Sequence, residues 1–220
     1  GSGLVSVVFD TPTNDRYNSY FKVGLYTSSG SMLRQYELGA DATLDMGAVG
    51  TAGTYYLKVE DNTFYSSGNY ATTVNFTAGS IANYESEAND TLATADAGTL
   101  GSAMNGQLAT SNDVDWFSFN SSGAGVITLR FDAPTDSAYS DYFTVRLADA
   151  NGNTISQVQT GRDLTFQAAV GQSGSFFAEV KASDYLYNGG SYALEASFSA
   201  GASNLELEPR RAMNIPGGDG

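Results

Sequence analysis

Along residues 126–132, 143–148, 153–158, 163–170, 175–181 and 191–199, apolar and polar side chains alternate, and the apolar positions favour β-branched and aromatic residues. An extended chain turns successive side chains to opposite faces, so each of these runs predicts a half-buried strand. A further run, Asp115-Trp116-Phe117-Ser118-Phe119, sets Phe117 and Phe119 on one face and Trp116 and Ser118 on the other. The two phenylalanines are expected in a core. Trp116 admits two readings, an exposed ring that holds a ligand or a packed ring, the second being the commoner fate of large aromatics. Ser29-Gly30 and Asn151-Gly152 separate strand-like runs where a tight hairpin needs positive φ, and Ser67-Gly68 and Gly189-Gly190 are read in the same way. No segment carries a convincing amphipathic-helix period. Short strands with regular turn signals predict an all-β fold of jelly-roll-like antiparallel β-sandwiches.

The plural follows from a repeat. Residues 9–79 recur at 131–201 with a near-constant offset of 122. Phe9-Asp10-Thr11-Pro12-Thr13 returns as Phe131-Asp132-Ala133-Pro134-Thr135, and Tyr17, Tyr20, Phe21, Val23 and Leu25 return as Tyr139, Tyr142, Phe143, Val145 and Leu147. Gly39, Asp41, Tyr65, Gly68 and Tyr70 find Gly161, Asp163, Tyr187, Gly190 and Tyr192. The period is that of a domain, longer than the roughly 20–50 residues of a solenoid unit. Nothing in the first copy matches Tyr84 to Ser122, whereas Asn204-Leu205-Glu206-Leu207-Glu208-Pro209 resembles Asn83-Tyr84-Glu85-Ser86-Glu87-Ala88. The expected organisation is an incomplete sandwich over 1–79, a complete one over 80–200, and a tail, 201–220, like the start of a further copy. An incomplete sandwich leaves strand edges and a strip of core open, inviting cover by another segment through β-strand addition, with the tail of a neighbouring molecule as one candidate.

Composition narrows the partners. With 14 tyrosines and 12 phenylalanines the chain has ample material for a core, while a net charge of -14 with only ten Lys and Arg disfavours nucleic acids and anionic membranes. No apolar run approaches the ~18 residues of a membrane-spanning helix, so no membrane insertion is expected. Cysteine is absent, which excludes disulfides and thiolate sites. Acidic, cysteine-free, Gly/Ser/Thr/Asn-rich β chains of this kind suggest a secreted or surface-exposed, bacterial protein.

Oxygen-bearing side chains concentrate in Tyr84-Glu85-Ser86-Glu87-Ala88-Asn89-Asp90-Thr91 and, about twenty residues on, in Ser111-Asn112-Asp113-Val114-Asp115. In an extended segment Glu85, Glu87 and Asn89 share a side. Asp113 and Asp115 stand two apart at the mouth of a strand. Carboxylates and an amide oxygen, with no nitrogen or sulfur donor, match a hard cation taking about six to eight oxygens, Ca²⁺ rather than Mg²⁺. Spacing alone leaves open a plainer alternative, a solvated acidic linker in which Asn89 or Asp90 closes a turn. The two diverge on one point: carboxylates that meet without a cation repel one another.

These residues also resemble a family. Glu85-Ser86-Glu87-Ala88-Asn89-Asp90-Thr91, then Gly106-Gln107-Leu108, then Asp113-Val114-Asp115-Trp116-Phe117-Ser118-Phe119 are similar to the pattern of the bacterial pre-peptidase C-terminal (PPC) domain, a family that includes collagen-binding modules of bacterial collagenases. The resemblance covers residues 83–200 directly and 4–79 through the repeat. It implies a non-catalytic sandwich whose leading segment is pinned by Ca²⁺, with Glu85, Glu87, Asn89, Asp90, Ser111, Asp113 and Asp115 on the calcium-binding positions. Ala88 stands where the family has proline, and in the tail Arg210 and Arg211 replace the Asn and Asp, which argues against a tail site.

Catalysis finds little support. With neither His nor Cys, the Ser-His-Asp and Cys-His arrangements are impossible. Lys22, Lys58 and Lys181 lie in strand-like runs, and no pair of acids stands out for glycoside hydrolysis. The tyrosines could form a binding surface, although their recurrence in both copies argues first for packing. The expectation is therefore a non-enzymatic, calcium-stabilised structural or adhesive module that meets protein or polysaccharide surfaces and other copies of itself. The alternative is the substrate-targeting accessory domain of a secreted peptidase.

Overall fold

In the computed structural model, residues 1–12, 14, 20–62, 68–184 and 186–201 are described; Tyr17, Tyr65 and the tail from 202 onward, with Glu206, Glu208, Arg210 and Arg211, lie outside them. Fifteen strands follow one another: β1 (Gly3–Asp10), β2 (Phe21–Thr27), β3 (Met32–Leu38), β4 (Ala42–Val49), β5 (Tyr55–Asp61), β6 (Ala71–Ala78), β7 (Asp96–Ala97), β8 (Ala103–Gly106), β9 (Val114–Ser121), β10 (Gly125–Asp132), β11 (Phe143–Ala148), β12 (Thr154–Thr160), β13 (Leu164–Val170), β14 (Gly174–Ala182) and β15 (Tyr192–Ala200). One turn of 3-10 helix, Leu92–Thr94, precedes β7. Each run expected to be a strand from its alternation is one.

The strands form four sheets, ordered β4-β1-β6, β3-β2-β5, β13-β10-β15-β8 and β12-β11-β14-β9-β7. Position by position, the two three-stranded sheets of the first repeat reappear inside the larger sheets of the second. β1 and β10 even share one burial alternation, with Val5, Val7 and Phe9 standing where Ile127, Leu129 and Phe131 stand. In the second repeat the inward side chains of both sheets meet in a single core, from Leu129, Phe131 and Leu194 on one side to Phe117, Phe143, Leu147 and Val180 on the other. Phe117 and Phe119 are buried as their alternation requires, and so is Trp116. Its ring packs edge-on to Phe177 at 6.4 Å and lies under the Arg146 guanidinium at 4.9 Å, itself held by Glu179. Trp116 is a packing residue.

What the second repeat adds lies at the edges. β8 pairs with β15, and β9 pairs with β14 while β7 lies parallel on its far side. Among the described residues no strand takes these places beside β6 and β5, and side chains there are more exposed than their counterparts. All of β6 is exposed, including Val74 at 55% and Phe76 at 51%. Tyr70 is 48% exposed although it stacks on Phe9 at 5.4 Å, whereas its counterpart Tyr192 is 3% exposed. A groove of about 400 Å³ opens between the sheets, lined by Val5, Leu25, Val49, Leu57, Val74 and Phe76.

Strand pairing also refines the repeat. Phe9 faces Ala42 as Phe131 faces Leu164, an offset of 122, yet Gly3 faces Val49 as Gly125 faces Val170, an offset of 121. β4 therefore holds one extra residue, a bulge at which Gly47 takes φ +77 and its N–H reaches the Asp45 carboxylate at 2.9 Å. Gly30 and Gly152 adopt the positive φ that their hairpins demand. Gly68 and Gly189-Gly190 do not sit in hairpins, because the strands that follow them, β6 and β15, belong to the sheet opposite β5 and β14, and Ser67 lies outside the described residues. Gly68 does take a positive φ, +147, and space gives a reason common to both glycines: a Cβ at Gly68 or Gly190 would lie 2.7 or 2.5 Å from the ring of Pro12 or Pro134. The recurring aspartates have a matching role, Asp41 accepting from the Thr11 N–H at 2.8 Å and Asp163 from the Ala133 N–H at 3.0 Å.

Candidate metal centre

The leading segment of the second repeat is laid along β8 and the start of β9. Tyr84 bridges in parallel to Asn105, the Glu85 N–H donates to the Asn105 carbonyl at 3.0 Å, and the Trp116 N–H donates to the Asn89 carbonyl at 3.2 Å. These backbone ties turn two stretches separated in sequence into neighbours. Carboxylate oxygens of Glu85, Glu87 and Asp115 all lie within 4.8 Å of one another. Glu85 and Asp115 are buried and Glu87 half-buried.

Of six buried side-chain N and O atoms without a hydrogen-bond partner among the described residues, four belong to this segment and strand: Glu85 Oε2, Glu87 Oε1, Asn89 Oδ1 and Asp115 Oδ1. Buried polar atoms are rarely left so, and each such atom costs about 1–3 kcal/mol. In Glu85, Asn89 and Asp115 the rest of the side chain is anchored, which fixes where the free oxygen points. Glu85 Oε1 accepts from the Gln107 N–H at 2.7 Å and from Arg34 at 2.9 Å. Asp115 Oδ2 accepts from the Tyr192 hydroxyl. The Asn89 amide donates to Asp96 at 3.0 Å, and Asp96 also accepts from the Ser86 N–H and hydroxyl, each at 2.8 Å. Asp113 sits beside the cluster, half-buried, its carboxylate taking the Ala109 N–H at 2.5 Å and the Val114 N–H at 3.0 Å. Asp90 is exposed at the rim, near enough for its charge to act on Glu87 and Asp113. Ser111 is exposed in the turn before β9.

The metal-free electrostatics are adverse. Burial, then the charges of Asp113, Glu85 and Asp90, pushes the Glu87 carboxyl up to about 9. Burial likewise raises Glu85, against the pull of Arg34, and raises Asp113 and Asp115, the last further strained by Glu85 and Asp113. All-oxygen donors, converging unpartnered atoms and carboxylates that resist ionisation fit a hard divalent cation, which would be held by Glu85, Glu87, Asn89 and Asp115 with Asp113 adjacent. A pH dependence follows. In chelator the folded state keeps the Glu87 proton up to about pH 9 while the unfolded chain releases it near 4.5, so the folded state binds more protons across that window and stability falls as pH rises through it. Thermal melts in chelator should give a higher midpoint at about pH 5 than at about pH 8.5. An unchanged midpoint would mean that Glu87 is solvated.

Five contributors escaped the sequence reading. Asp96, Gln107 and Tyr192 orient the donors from within the second repeat, and Gly106 gives them room, since a Cβ there would lie 2.4 Å from the Tyr192 hydroxyl and 2.7 Å from Glu85 Oε2. Gly106 and Gln107 stood in the quoted motif without a role. The fifth, Arg34, comes from the first repeat. It is 3% exposed, and its other terminal nitrogen donates to the Ser191 hydroxyl at 3.2 Å. Burial works against its charge, but Glu85, Tyr36 and Asp45 more than offset that. The β4 bulge makes the space, as a Cβ on Gly47 would lie 3.0 Å from Arg34 Nε.

No protein-family model matches the chain, and neither does any curated protein. Among solved structures, the chain is similar to the pre-peptidase C-terminal domain of collagenase from Bacillus anthracis, with 20% identity over 47% of this chain and 94% of that one and a TM-score of 0.38. It is also similar to the tandem CBM51 modules of the family 98 glycoside hydrolase from Streptococcus pneumoniae, with 6% identity, coverage of 91% and 78%, and a TM-score of 0.34. A mitogen from Yersinia pseudotuberculosis matches with 12% identity, coverage of 42% and 91%, and a TM-score of 0.25. Likeness at this level bears on neither activity nor partner.

Proposed function

We propose that this chain is a non-catalytic, extracellular module of the PPC type, stabilised by Ca²⁺ and serving as a structural or adhesive unit. The observation that carries this reading is the convergence of the Glu85, Glu87 and Asp115 carboxylates, each with a buried, unpartnered oxygen, in a segment and strand where Asn89 Oδ1 is likewise buried and unpartnered. The cation neutralises the cluster and fastens the leading segment, Asn83 to Asp90, to the sandwich; it takes part in no reaction. The absence of His and Cys supports a binding role over a catalytic one. Partner surfaces of protein or polysaccharide suit the polar groove of about 410 Å³ lined by Gln35, Tyr36, Glu37, Tyr187, Asn188 and Gly189, where two tyrosines offer ring area beside hydrogen-bonding groups. No helix among the described residues is long and apolar enough to cross a membrane. The test is calorimetric titration of chelator-treated protein with Ca²⁺, which should show one saturable site on the second repeat that is lost in Asp115→Asn. Absence of binding would leave the cluster a buried proton-sharing network and end the calcium reading.

Copies join, in this reading, by strand addition to the first repeat. The pairing of β14 with β9 supplies the template: Phe119 faces Phe176 and Phe117 faces Ala178. Transferred to β5, an added strand with the alternation of Val114–Ser121 would set two apolar side chains beside Tyr55 and Leu57, over the groove that Val74 and Phe76 leave open. β9 is itself paired on both edges within its own repeat, so the added strand has to come from a segment of another copy that is not already paired. A peptide spanning residues 96–121 should bind the intact chain, and the same peptide carrying Phe117→Ala and Phe119→Ala should not. Equal binding of both peptides, or of neither, would rule this assembly out.

A further inference from the structure

Glu85 divides its two oxygens between two tasks. Oε1 is held by Arg34 of the first repeat, and Oε2 is among the unpartnered atoms of the metal centre in the second. The contact with Arg34 is a buried ion pair, with both side chains under 5% exposed, and the other ion pairs among the described residues join groups within one repeat. Around it the repeats meet through short polar contacts: Gln107 donates to the Gln35 carbonyl at 3.4 Å, and the hydroxyls of Tyr36 and Ser191 lie 3.3 Å apart. The seat is specific to this junction. Pairing places Arg34 opposite Leu25 in β2 and Ser156 opposite Leu147 in β11, so the equivalent residue of the second repeat is a serine. The bulge that makes room for the guanidinium is likewise confined to β4 among these two strands.

We propose that Arg34 is a positioning residue that makes the metal centre a joint, so that a divalent cation bound in the second repeat locks the first repeat against it. This rests on the calcium reading above. A cation on Oε2 adds a second anchor to a carboxylate held at Oε1 by the Gln107 N–H, and a carboxylate fixed at both oxygens is a better partner for the forked guanidinium, which reaches Ser191 as well. Coupling of this kind is reciprocal: whatever fixes Glu85 from one side favours its contact on the other. A lysine at position 34 supplies the charge without the fork.

The absence of native cysteine permits spin labels at Ser28→Cys and Ser173→Cys, both exposed and one in each repeat. Pulsed dipolar spectroscopy should give a broad distance distribution in chelator that narrows to one peak on adding Ca²⁺. The narrowing should be lost in Arg34→Met, which keeps apolar bulk in the seat, and only partly recovered in Arg34→Lys. Circular dichroism and calorimetric Ca²⁺ binding on the same samples show whether each variant is folded and loaded. Retained narrowing in folded, loaded Arg34→Met overturns the proposal, as does a wild-type distribution already narrow in chelator. Failure of Ca²⁺ to bind wild-type protein overturns the calcium reading and the joint with it, whereas binding without any change in distance overturns the joint alone.

Discussion

Removing Ca²⁺ from this protein should lower the melting temperature of the second repeat by about 10 °C, and adding it back should restore the loss. A ligand bound only by the folded state at about a thousandfold above its Kd contributes about 4 kcal/mol, and a kilocalorie moves the midpoint of a domain of this size by a few degrees. The expectation of so large an effect rests on four buried oxygens without a partner among the described residues, which a bound cation would satisfy. Asp115→Asn is the sharpest control, because the amide oxygen can still accept from Tyr192 while the charge is gone. That variant should melt at one temperature with or without Ca²⁺, and Asp10→Asn, on an exposed strand end, should behave as wild type. Equal melting of wild-type protein in Ca²⁺ and in chelator would refute the site.

Phe117→Ala should destabilise the second repeat by about 3–5 kcal/mol, read as a shift in its urea transition. The ring is fully buried between the two sheets and meets Tyr192 edge-on at 6.5 Å. Nothing near it can collapse cheaply, since Phe131 and Phe143 are themselves held against Tyr192 at 5.2 and 6.2 Å. The loss should also weaken Ca²⁺ binding, because Phe117 shares β9 with Asp115 and Tyr192 is the hydrogen-bond partner of Asp115. Phe76→Ala provides the contrast. This ring lies on the uncovered β6 and is half exposed, so its truncation should cost under about 1 kcal/mol. Comparable losses for the two variants would show that the groove of the first repeat is covered in solution.

Legibility in the sequence followed the strength of local pattern. Every strand with four or more alternating residues announced itself, since the period of two is written into each sandwich face. β7 and β8 did not: Asp96–Ala97 is too short to alternate, and Ala103–Gly106 has no β-branched or aromatic residue, relying on β15 for its pairing. The acidic donors were visible because Glu85, Glu87 and Asn89 crowd one short segment. What orients them was not, because Asp96, Tyr192 and Arg34 reach the cluster from 11, 107 and 51 positions away from Glu85, counted along the chain. Arg34 in particular carries no sequence signal beyond its departure from Ser156, and it acquires meaning only once the β4 bulge makes space beside it. The glycines of the repeat were recognised, but at two places the hairpin assigned to them is not there, although Gly68 does take a positive φ. Gly68 and Gly190 looked like turn formers, and the proline packed on each is a contact across the fold that no local rule reveals.

The substitution of serine for arginine at matched positions 34 and 156 reaches beyond a single molecule. In an array of such units, the joint proposed above would set stiffness unit by unit: one bearing the arginine and its bulge would clamp its successor, and one bearing serine would leave the next free to swivel. The bending of a long fibre would then be encoded in the identity of one side chain per unit, with the calcium content of the surroundings deciding how many of the clamps are closed.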